Sequence, residues 1–173
     1  IDILLMQPPH QQDANVPYLG REMPLGIAYL AAYMEKAGIS VEILDLNISE
    51  HPLLELEEAL KTLCPRFVGI SSFTVDIPGA DTLAGCCKSI LPGVTTIVGG
   101  IHATALPQRT LAECEHFDYL IHGQGEVPLT RLIQSIKGHQ DVRGINGLAY
   151  RNNGTITVNP RDQYLSLDDL PFP

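Results

Sequence analysis

The sequence predicts an α/β fold: a doubly wound, five-stranded parallel sheet followed by a β-hairpin. Along residues 1–143, five apolar, strand-like runs alternate with five runs of helical periodicity. Repeated strand–helix units of this kind form right-handed crossovers with helices on both faces of the sheet. We expect the flavodoxin-like strand order 2-1-3-4-5. Residues 144–160 follow a different pattern, in which Asn152, Asn153 and Gly154 supply a turn signal between two short strands.

The composition excludes several classes of protein. A charged fraction of 18% and an apolar fraction of 45% fit a globular domain, and no apolar run approaches the roughly 20 residues of a membrane-spanning helix. The formal net charge of -9, with 11 Lys and Arg residues, opposes a nucleic-acid-binding face, which needs clustered cations. The four cysteines form no CxxC pair, so neither a disulfide framework nor a zinc ribbon is indicated. We expect a soluble, cytoplasmic domain with no nucleic-acid or membrane partner.

The chain begins with an apolar strand, residues 1–6, and a polar, proline-containing stretch, residues 8–22, that predicts a long loop. A loop of this length inside a domain is more often functional than accidental. Pro24 suits the start of a helix that ends at Gly38, and the broad apolar stripe of this helix predicts packing against the sheet. Residues 41–46 form the second predicted strand.

The second helix, residues 53–63, has leucines on one face and carboxylates on the other, as expected of a helix with a solvated side. Residues 67–72 are an uncharged third strand of the kind that is buried on both faces. Either Thr74 or Asp76 is expected to cap the third helix. The remaining predicted elements are a fourth strand (94–98), a fourth helix (106–115) capped by Thr104, a fifth strand (118–121) and a fifth helix from Pro128 to Gly138.

The loops that follow the strands carry the candidate chemistry. In a parallel sheet these loops gather at one edge, where ligands of open α/β sheets bind. Three of them consist largely of Gly, Ser, Thr and His, which bring backbone amides and small donors close to a ligand. They are residues 71–77, 99–105 and 122–127, and the loops at residues 7–23 and 47–52 complete the edge. The sequence therefore predicts a broad, uncharged ligand surface.

The motifs of several enzyme classes are missing from this sequence. It contains no G-x-x-x-x-G-K-[ST], no G-x-S-x-G, and no third glycine in register with Gly123 and Gly125 for a dinucleotide fingerprint. A phosphoacceptor receiver needs acidic residues where this chain has Gln7 and Ser71 or Ser72. No catalytic residue is therefore assigned.

Two histidines, His102 and His122, follow adjacent strands, and each has two interpretations. Each ring is either directed at the ligand surface, as an axial metal ligand or a hydrogen-bond donor, or bonded to local loop carbonyls. Glu126 stands at a helix start, where the helix dipole favours a negative charge without any catalytic role.

Five segments resemble the N-terminal cobalamin-binding domain of B12-dependent radical SAM enzymes, many of which are methyltransferases. The segments are Pro8-Pro9, PLGIAYLAAYMEKAGISVEILD from Pro24, VGISSFT from Val68, VGGIHAT from Val98 and HGQGE from His122. The hairpin segment INGLAYR and the final LDDLPFP are similar to that family's passage into its radical SAM barrel. The resemblance covers essentially the whole chain.

The resemblance implies a cobalamin site and three regions. These are a Rossmann-like cobalamin-binding domain (1–143), a hairpin extension (144–160) and a linker toward a radical SAM domain (161–173). S-adenosylmethionine and a [4Fe–4S] cluster would belong to that further domain, because the chain contains no C-x-x-x-C-x-x-C. The residues implied to line the cobalamin site are Ser71, Ser72, Thr74, Gly99, Gly100, His102, Gly123, Gly125 and Glu126.

The chain also departs from one known mode of cobalamin binding. It lacks D-x-H-x-x-G, the signature of domains that supply an axial histidine, so the resemblance implies base-off cobalamin without a His ligand. Three hypotheses follow: a cobalamin module of a radical SAM methyltransferase that is not catalytic alone, a degenerate domain that only docks a partner domain, and an autonomous flavodoxin-like flavin binder.

Overall fold

The computed structural model describes residues 1–9 and 24–173, in which helices cover both faces of one central sheet. Within these ranges the sheet has seven strands in the order β2-β1-β3-β4-β5-β6-β7. The strands are β1 (Ile3–Gln7), β2 (Val41–Asp45), β3 (Phe67–Ser71), β4 (Thr95–Gly99), β5 (Tyr119–Ile121), β6 (Leu148–Asn152) and β7 (Thr155–Val158). The helices are α1 (Leu25–Lys36), α2 (Pro52–Leu63), α3 (Ile77–Ile90), α4 (Ile101–Ala105), α5 (Pro107–Glu113) and α6 (Glu126–Lys137).

The first five strands are parallel and follow the expected order 2-1-3-4-5. The strand count differs from the prediction, because the hairpin is part of the same sheet. β6 pairs antiparallel with β5, and β7 pairs antiparallel with β6. The hairpin turn has φ of +48° at Asn153 and +83° at Gly154, as its sequence predicted. The hairpin thus covers the edge that β5 would otherwise expose.

The connection after β4 also differs from the prediction. Residues 99–105 were expected to be a loop, yet α4 spans Ile101–Ala105, and α5 is a separate helix that ends at Glu113. Thr104 therefore lies inside a helix rather than capping one, and its hydroxyl accepts the backbone N–H of Gly123 at 3.0 Å. A helix of five residues is too short to show a hydrophobic period, which explains why the sequence pattern missed it.

Two further details differ from the prediction. Neither Thr74 nor Asp76 caps α3 through its side chain, because a 3-10 turn over Thr74–Asp76 leads directly into the helix. Leu53, which shares the sequence face of the buried Leu56 and Leu60, is 59% exposed at the start of α2. The long loop expected at residues 8–22, with His10, lies outside the described residues from position 10 onward.

Alternating side chains of the strands fill two cores, one on each face of the sheet. In β1, Leu4 and Met6 pack with residues of α2, α3 and α5, whereas Ile3 and Leu5 pack with residues of α1 and α6. None of the helices in the described ranges combines the length and apolar character needed to cross a bilayer. All four cysteines are free, and burial raises the pKa of the Cys87 thiol to about 12, so this thiol is an inert core residue.

Candidate functional site

The ends of β3 and β4 lie side by side at the carboxyl edge of the sheet, the edge at which β1–β5 end. Ser71 pairs with Gly99 in register, and the Ser72 N–H donates to the Gly99 carbonyl at 3.2 Å. Gly100 has φ of +95°, and a Cβ at this position would stand 2.7 Å from the Ser72 carbonyl oxygen. Only glycine allows this backbone approach, so the Gly100 position is explained by packing within the fold.

The neighbouring Gly99 occupies a different environment. A Cβ on Gly99 would have its nearest contact at 3.8 Å, with the Ile121 carbonyl oxygen. This is an ordinary van der Waals distance, so among the described residues a methyl group at Gly99 would fit without a clash. The missing side chain of Gly99 leaves room for another group to approach the backbone at the end of β4.

A hydrogen bond between side chains joins α4 to the turn that follows β3. The Nδ1 atom of His102 lies 3.2 Å from the Thr74 hydroxyl oxygen. The structure therefore brings six of the nine predicted site residues together at the ends of β3 and β4. These six are Ser71, Ser72, Thr74, Gly99, Gly100 and His102.

The other three predicted site residues follow β5 and have different neighbours. A Cβ on Gly123, where φ is +86°, would lie 3.2 Å from the Arg161 Cδ atom, and one on Gly125 would lie 2.9 Å from the Leu30 Cδ2 atom of α1. Both glycines thus face other parts of the chain rather than the ends of β3 and β4. Glu126 begins α6 and is 8% exposed.

Three buried polar side-chain atoms at this side of the molecule lack a hydrogen-bond partner within the described part of the chain. They are Ser72 Oγ, Glu126 Oε2 and Thr130 Oγ1, on residues that are 3%, 8% and 6% exposed. Leaving such an atom unsatisfied costs roughly 1–3 kcal/mol, so these atoms are suited to a ligand that supplies the missing bonds. Thr130 lies one turn after Glu126 on α6. The sequence analysis missed Thr130, since a lone Thr in an amphipathic helix gives no signal.

His122 is buried, and both of its ring nitrogens are engaged by the segment after β7. The Arg161 Nε–H donates to His122 Nδ1 at 3.1 Å, so Nε2 carries the proton and donates to the Asn159 carbonyl at 3.0 Å. The pKa of His122 lies below its ordinary value, chiefly because burial disfavours the charged ring. The Arg161 charge lowers it further, and the bond to the Asn159 carbonyl offsets part of the shift. Of the two interpretations, the loop-carbonyl bond describes His122.

Exposed apolar side chains surround the ends of β3 and β4. Phe73 and Val75 are 44% and 79% exposed after β3, and Ile101 is 65% exposed after β4. Large exposed apolar groups that cluster beside polar ones are typical of a binding surface. This combination suits a flat, partly apolar ligand with a polar periphery.

A depression in the described residues lies away from these strand ends. It has a volume of about 730 Å³ and lies beside the start of β5 and the end of β6. Its lining includes Asp118, His139 and Arg151. A narrow cleft of about 30 Å³ lies near His122 at the carboxyl edge. We assign the site to the carboxyl edge nevertheless, because the buried polar atoms without partners lie there. Among the described residues no group of three or more His, Cys, Asp or Glu side chains is arranged to hold a metal ion.

A model of the B12 binding domain matches residues 14–133 of this chain. The chain belongs to the B12-binding domain family. The resemblance inferred from the five sequence segments is thereby confirmed. The Ser72 hydroxyl, without a hydrogen-bond partner in the part of the chain that the structure describes, and the uncrowded Gly99 backbone fit such a domain, which must bind a large ligand by polar groups and close backbone approach.

The relatives of this B12-binding domain are longer proteins. It is 31% identical over 172 residues to an uncharacterized methyltransferase of Pyrococcus horikoshii. This alignment covers 99% of the present chain and 37% of the methyltransferase. The domain is 27% identical over 162 residues to an anaerobic magnesium-protoporphyrin IX monomethyl ester cyclase of Rubrivivax gelatinosus. That alignment covers 89% of the present chain and 29% of the cyclase. The chain thus spans well under half the length of these relatives.

A solved structure has the same fold. The radical S-adenosylmethionine methyltransferase TsrM from Kitasatospora setae, with cobalamin and a [4Fe–4S] cluster bound, superposes with a TM-score of 0.76 over 91% of this chain and 30% of that one, at 20% sequence identity. The parallel sheet with its covering helices is therefore shared with TsrM.

Proposed function

We propose that this domain binds cobalamin at the carboxyl edge of its sheet and presents it to a radical SAM domain of the same polypeptide. The observation that carries the proposal is the buried Ser72 hydroxyl, which has no hydrogen-bond partner among the described residues, beside the uncrowded backbone of Gly99 in a member of the B12-binding family. When bound, cobalamin would supply a cobalt centre suited to methyl transfer or one-electron chemistry.

The protein's own residues would divide the work of holding the cofactor. Ser71, Ser72 and Thr74 offer hydroxyls, and Gly99 leaves its backbone open to close approach. Gly100 keeps the turns after β3 and β4 in contact, and His102 fixes α4 to Thr74. After β5, the buried Glu126 carboxylate would form a second wall of the site, and Gly123 and Gly125 would support it by admitting Arg161 and Leu30.

We further propose that cobalamin is bound base-off and without a histidine ligand. The sequence lacks D-x-H-x-x-G, and both ring nitrogens of His122 are already bonded to the chain. His102 Nδ1 is bonded to Thr74. The tuning of the cobalt would then come from the surrounding surface rather than from a protein ligand.

The proposed partner is a further domain that carries S-adenosylmethionine and a [4Fe–4S] cluster. The relatives' greater length and the absence of C-x-x-x-C-x-x-C from this chain support this division of labour. Residues 1–143 would hold the cofactor, residues 144–160 would close the sheet, and residues 161–173 would lead toward the partner. Catalysis, in our proposal methyl transfer, would belong to the whole polypeptide.

One observation favours the alternative of a docking module without cofactor. Packing alone accounts for Gly100, since its Cβ position is filled by the Ser72 backbone. Gly100→Val therefore tests folding rather than binding. A useful variant must act on the site and leave the fold intact.

Gly99→Ala meets that requirement, and titration with hydroxocobalamin is the test. Visible spectra and retained cobalt after desalting would be measured for this chain and for the polypeptide extended through the next domain. We expect binding by the wild type and about tenfold weaker binding by Gly99→Ala, since one crowded methyl costs on the order of 1–3 kcal/mol.

Gly93→Ala is the matched control. A Cβ on Gly93 meets nothing within 4 Å, and this residue lies just before β4, at the opposite edge. The control should bind as the wild type does. If both folded polypeptides retain no cobalt, the docking alternative replaces the proposal.

A further inference from the structure

The segment formed by residues 159–165 lies along the end of β5 and is bonded to it at several points. The Asn159 carbonyl accepts from His122, and the Pro160 carbonyl accepts the Gly147 N–H at 2.8 Å. The Leu165 N–H donates to Gln124 Oε1 at 2.7 Å. The first residues of the segment proposed to lead to a further domain are thus held against the domain.

Arg161 connects this segment both to the end of β5 and to α4. Its Nε–H donates to His122 at the end of β5, and its Nη2 donates to the Thr104 carbonyl, one residue before α4 ends, at 3.2 Å. The missing side chain of Gly123 makes room for the Arg161 methylenes, which would touch a Cβ there at 3.2 Å. The guanidinium therefore bridges the end of β5 and α4, the helix that follows β4.

The contact at Thr104 reaches the candidate site through α4. This helix has only five residues, so its own hydrogen bonds hold it weakly, and Ile101 at its start is exposed. Its position depends on contacts made at both ends: Gly123 and Arg161 bind Thr104, and Thr74 binds His102. A change at Arg161 would therefore be felt at His102.

We propose that Arg161 is a positioning residue for the cobalamin site: its bridge from His122 to Thr104 fixes α4, and with it His102, against the sheet. This inference rests on the proposed function for its effect on cobalamin, although the bridge itself is a property of the protein alone. Through this bridge, residues 159–165 would couple a movement of the chain end to the position of α4 at the cofactor site.

Arg161→Ala and Arg161→Lys test the proposal in the full chain. Arg161 is an exposed residue, so neither variant opens a cavity in the core. Hydrogen exchange measured without cofactor should show roughly tenfold faster exchange of the amides of residues 104–106 in Arg161→Ala, because charge-assisted hydrogen bonds are lost. Lys keeps the charge but reaches only one of the two acceptors, so its exchange rate should be intermediate.

Hydroxocobalamin affinity and the visible spectrum supply the second readout. Arg161→Ala should weaken binding by several-fold and shift the spectrum of the bound cofactor, whereas Arg109→Ala, which removes an exposed arginine of α5, should change neither. Wild-type exchange at residues 104–106 in Arg161→Ala would overturn the inference, as would fast exchange with unchanged affinity and spectrum. A wild type that binds no cobalamin, with exchange still faster in Arg161→Ala, would refute the proposed function and leave the bridge as a structural tie.

Discussion

The two edges of the sheet use their polar groups in different ways. At the amino edge, where β1–β5 begin, charged side chains bind the protein's own backbone and each other. Lys88 Nζ donates to Asp118 at 2.7 and 2.8 Å, and Asp118 accepts the Thr96 N–H at 2.8 Å. The Arg151 guanidinium donates to the carbonyls of Leu111, Cys114 and Phe117, which precede β5.

At the carboxyl edge, the ring nitrogens of buried His122 are bonded to the chain, but other buried polar atoms lack such partners among the described residues. Ser72 Oγ and Glu126 Oε2 have no hydrogen bond within the described ranges, and the apolar Val75 and Ile101 are exposed nearby. The polar groups of the amino edge thus stabilise the fold, whereas the carboxyl edge retains hydrogen-bonding capacity for a ligand.

The largest effect on stability is expected from Gly100→Ala. The added Cβ would meet the Ser72 backbone at 2.7 and 2.8 Å in a left-handed conformation, so we expect a loss of about 3 kcal/mol or more in the free energy of unfolding. Urea unfolding measures this loss. Gly99→Ala should lose less than about 1 kcal/mol, because its Cβ meets only an ordinary contact. Equal losses would show that the two glycines do not differ as described.

Arg151→Ala tests the amino edge. Three backbone carbonyls lose a charged donor, and we expect a loss of about 2 kcal/mol in the free energy of unfolding with unchanged hydroxocobalamin affinity. Arg109→Ala, which removes only an exposed pair with Glu113, is the control and should cost a few tenths of a kcal/mol at most. A weaker affinity in Arg151→Ala would contradict the separation of the two edges.

The pH dependence of stability is expected to be the smallest effect. The pKa of His122 is lowered in the folded protein, so the unfolded chain takes up this proton first as the pH falls. The contribution is complete above the unfolded pKa of about 6.5 and declines as the pH falls through that value toward the folded pKa. The charged Arg161 contacts the His122 ring directly. The neighbouring residue Asp162 has its carboxylate 3.8 Å from Arg131.

Urea unfolding of the wild type and of His122→Gln between pH 8 and 5 measures this decline. The difference in the free energy of unfolding between the two proteins should shrink as the pH falls. A difference that grows in acid would mean that the protonated His122 is the favoured form in the folded protein.

The sequence predicted the parts of this molecule that depend on local patterns. The strand order followed from five strand–helix repeats, and the hydroxyl-rich end of β3 beside Gly99 followed from the rule that parallel strands end together. Features that depend on distant contacts escaped it. His122 and Arg161 are 39 residues apart, and no periodicity links them. The short helix α4 and the buried Thr130 escaped it because neither leaves a local signal.

Ser72→Ala tests most directly whether the carboxyl edge holds unmet hydrogen-bonding capacity for cobalamin. Removing a buried hydroxyl that has no hydrogen-bond partner in the described ranges should leave the free energy of unfolding unchanged or slightly raised, while hydroxocobalamin affinity falls by roughly tenfold. Ser89→Ala, on α3, is the matched control and should bind cobalamin as the wild type does. Unchanged affinity in Ser72→Ala, with the wild type binding cobalamin, would contradict the account.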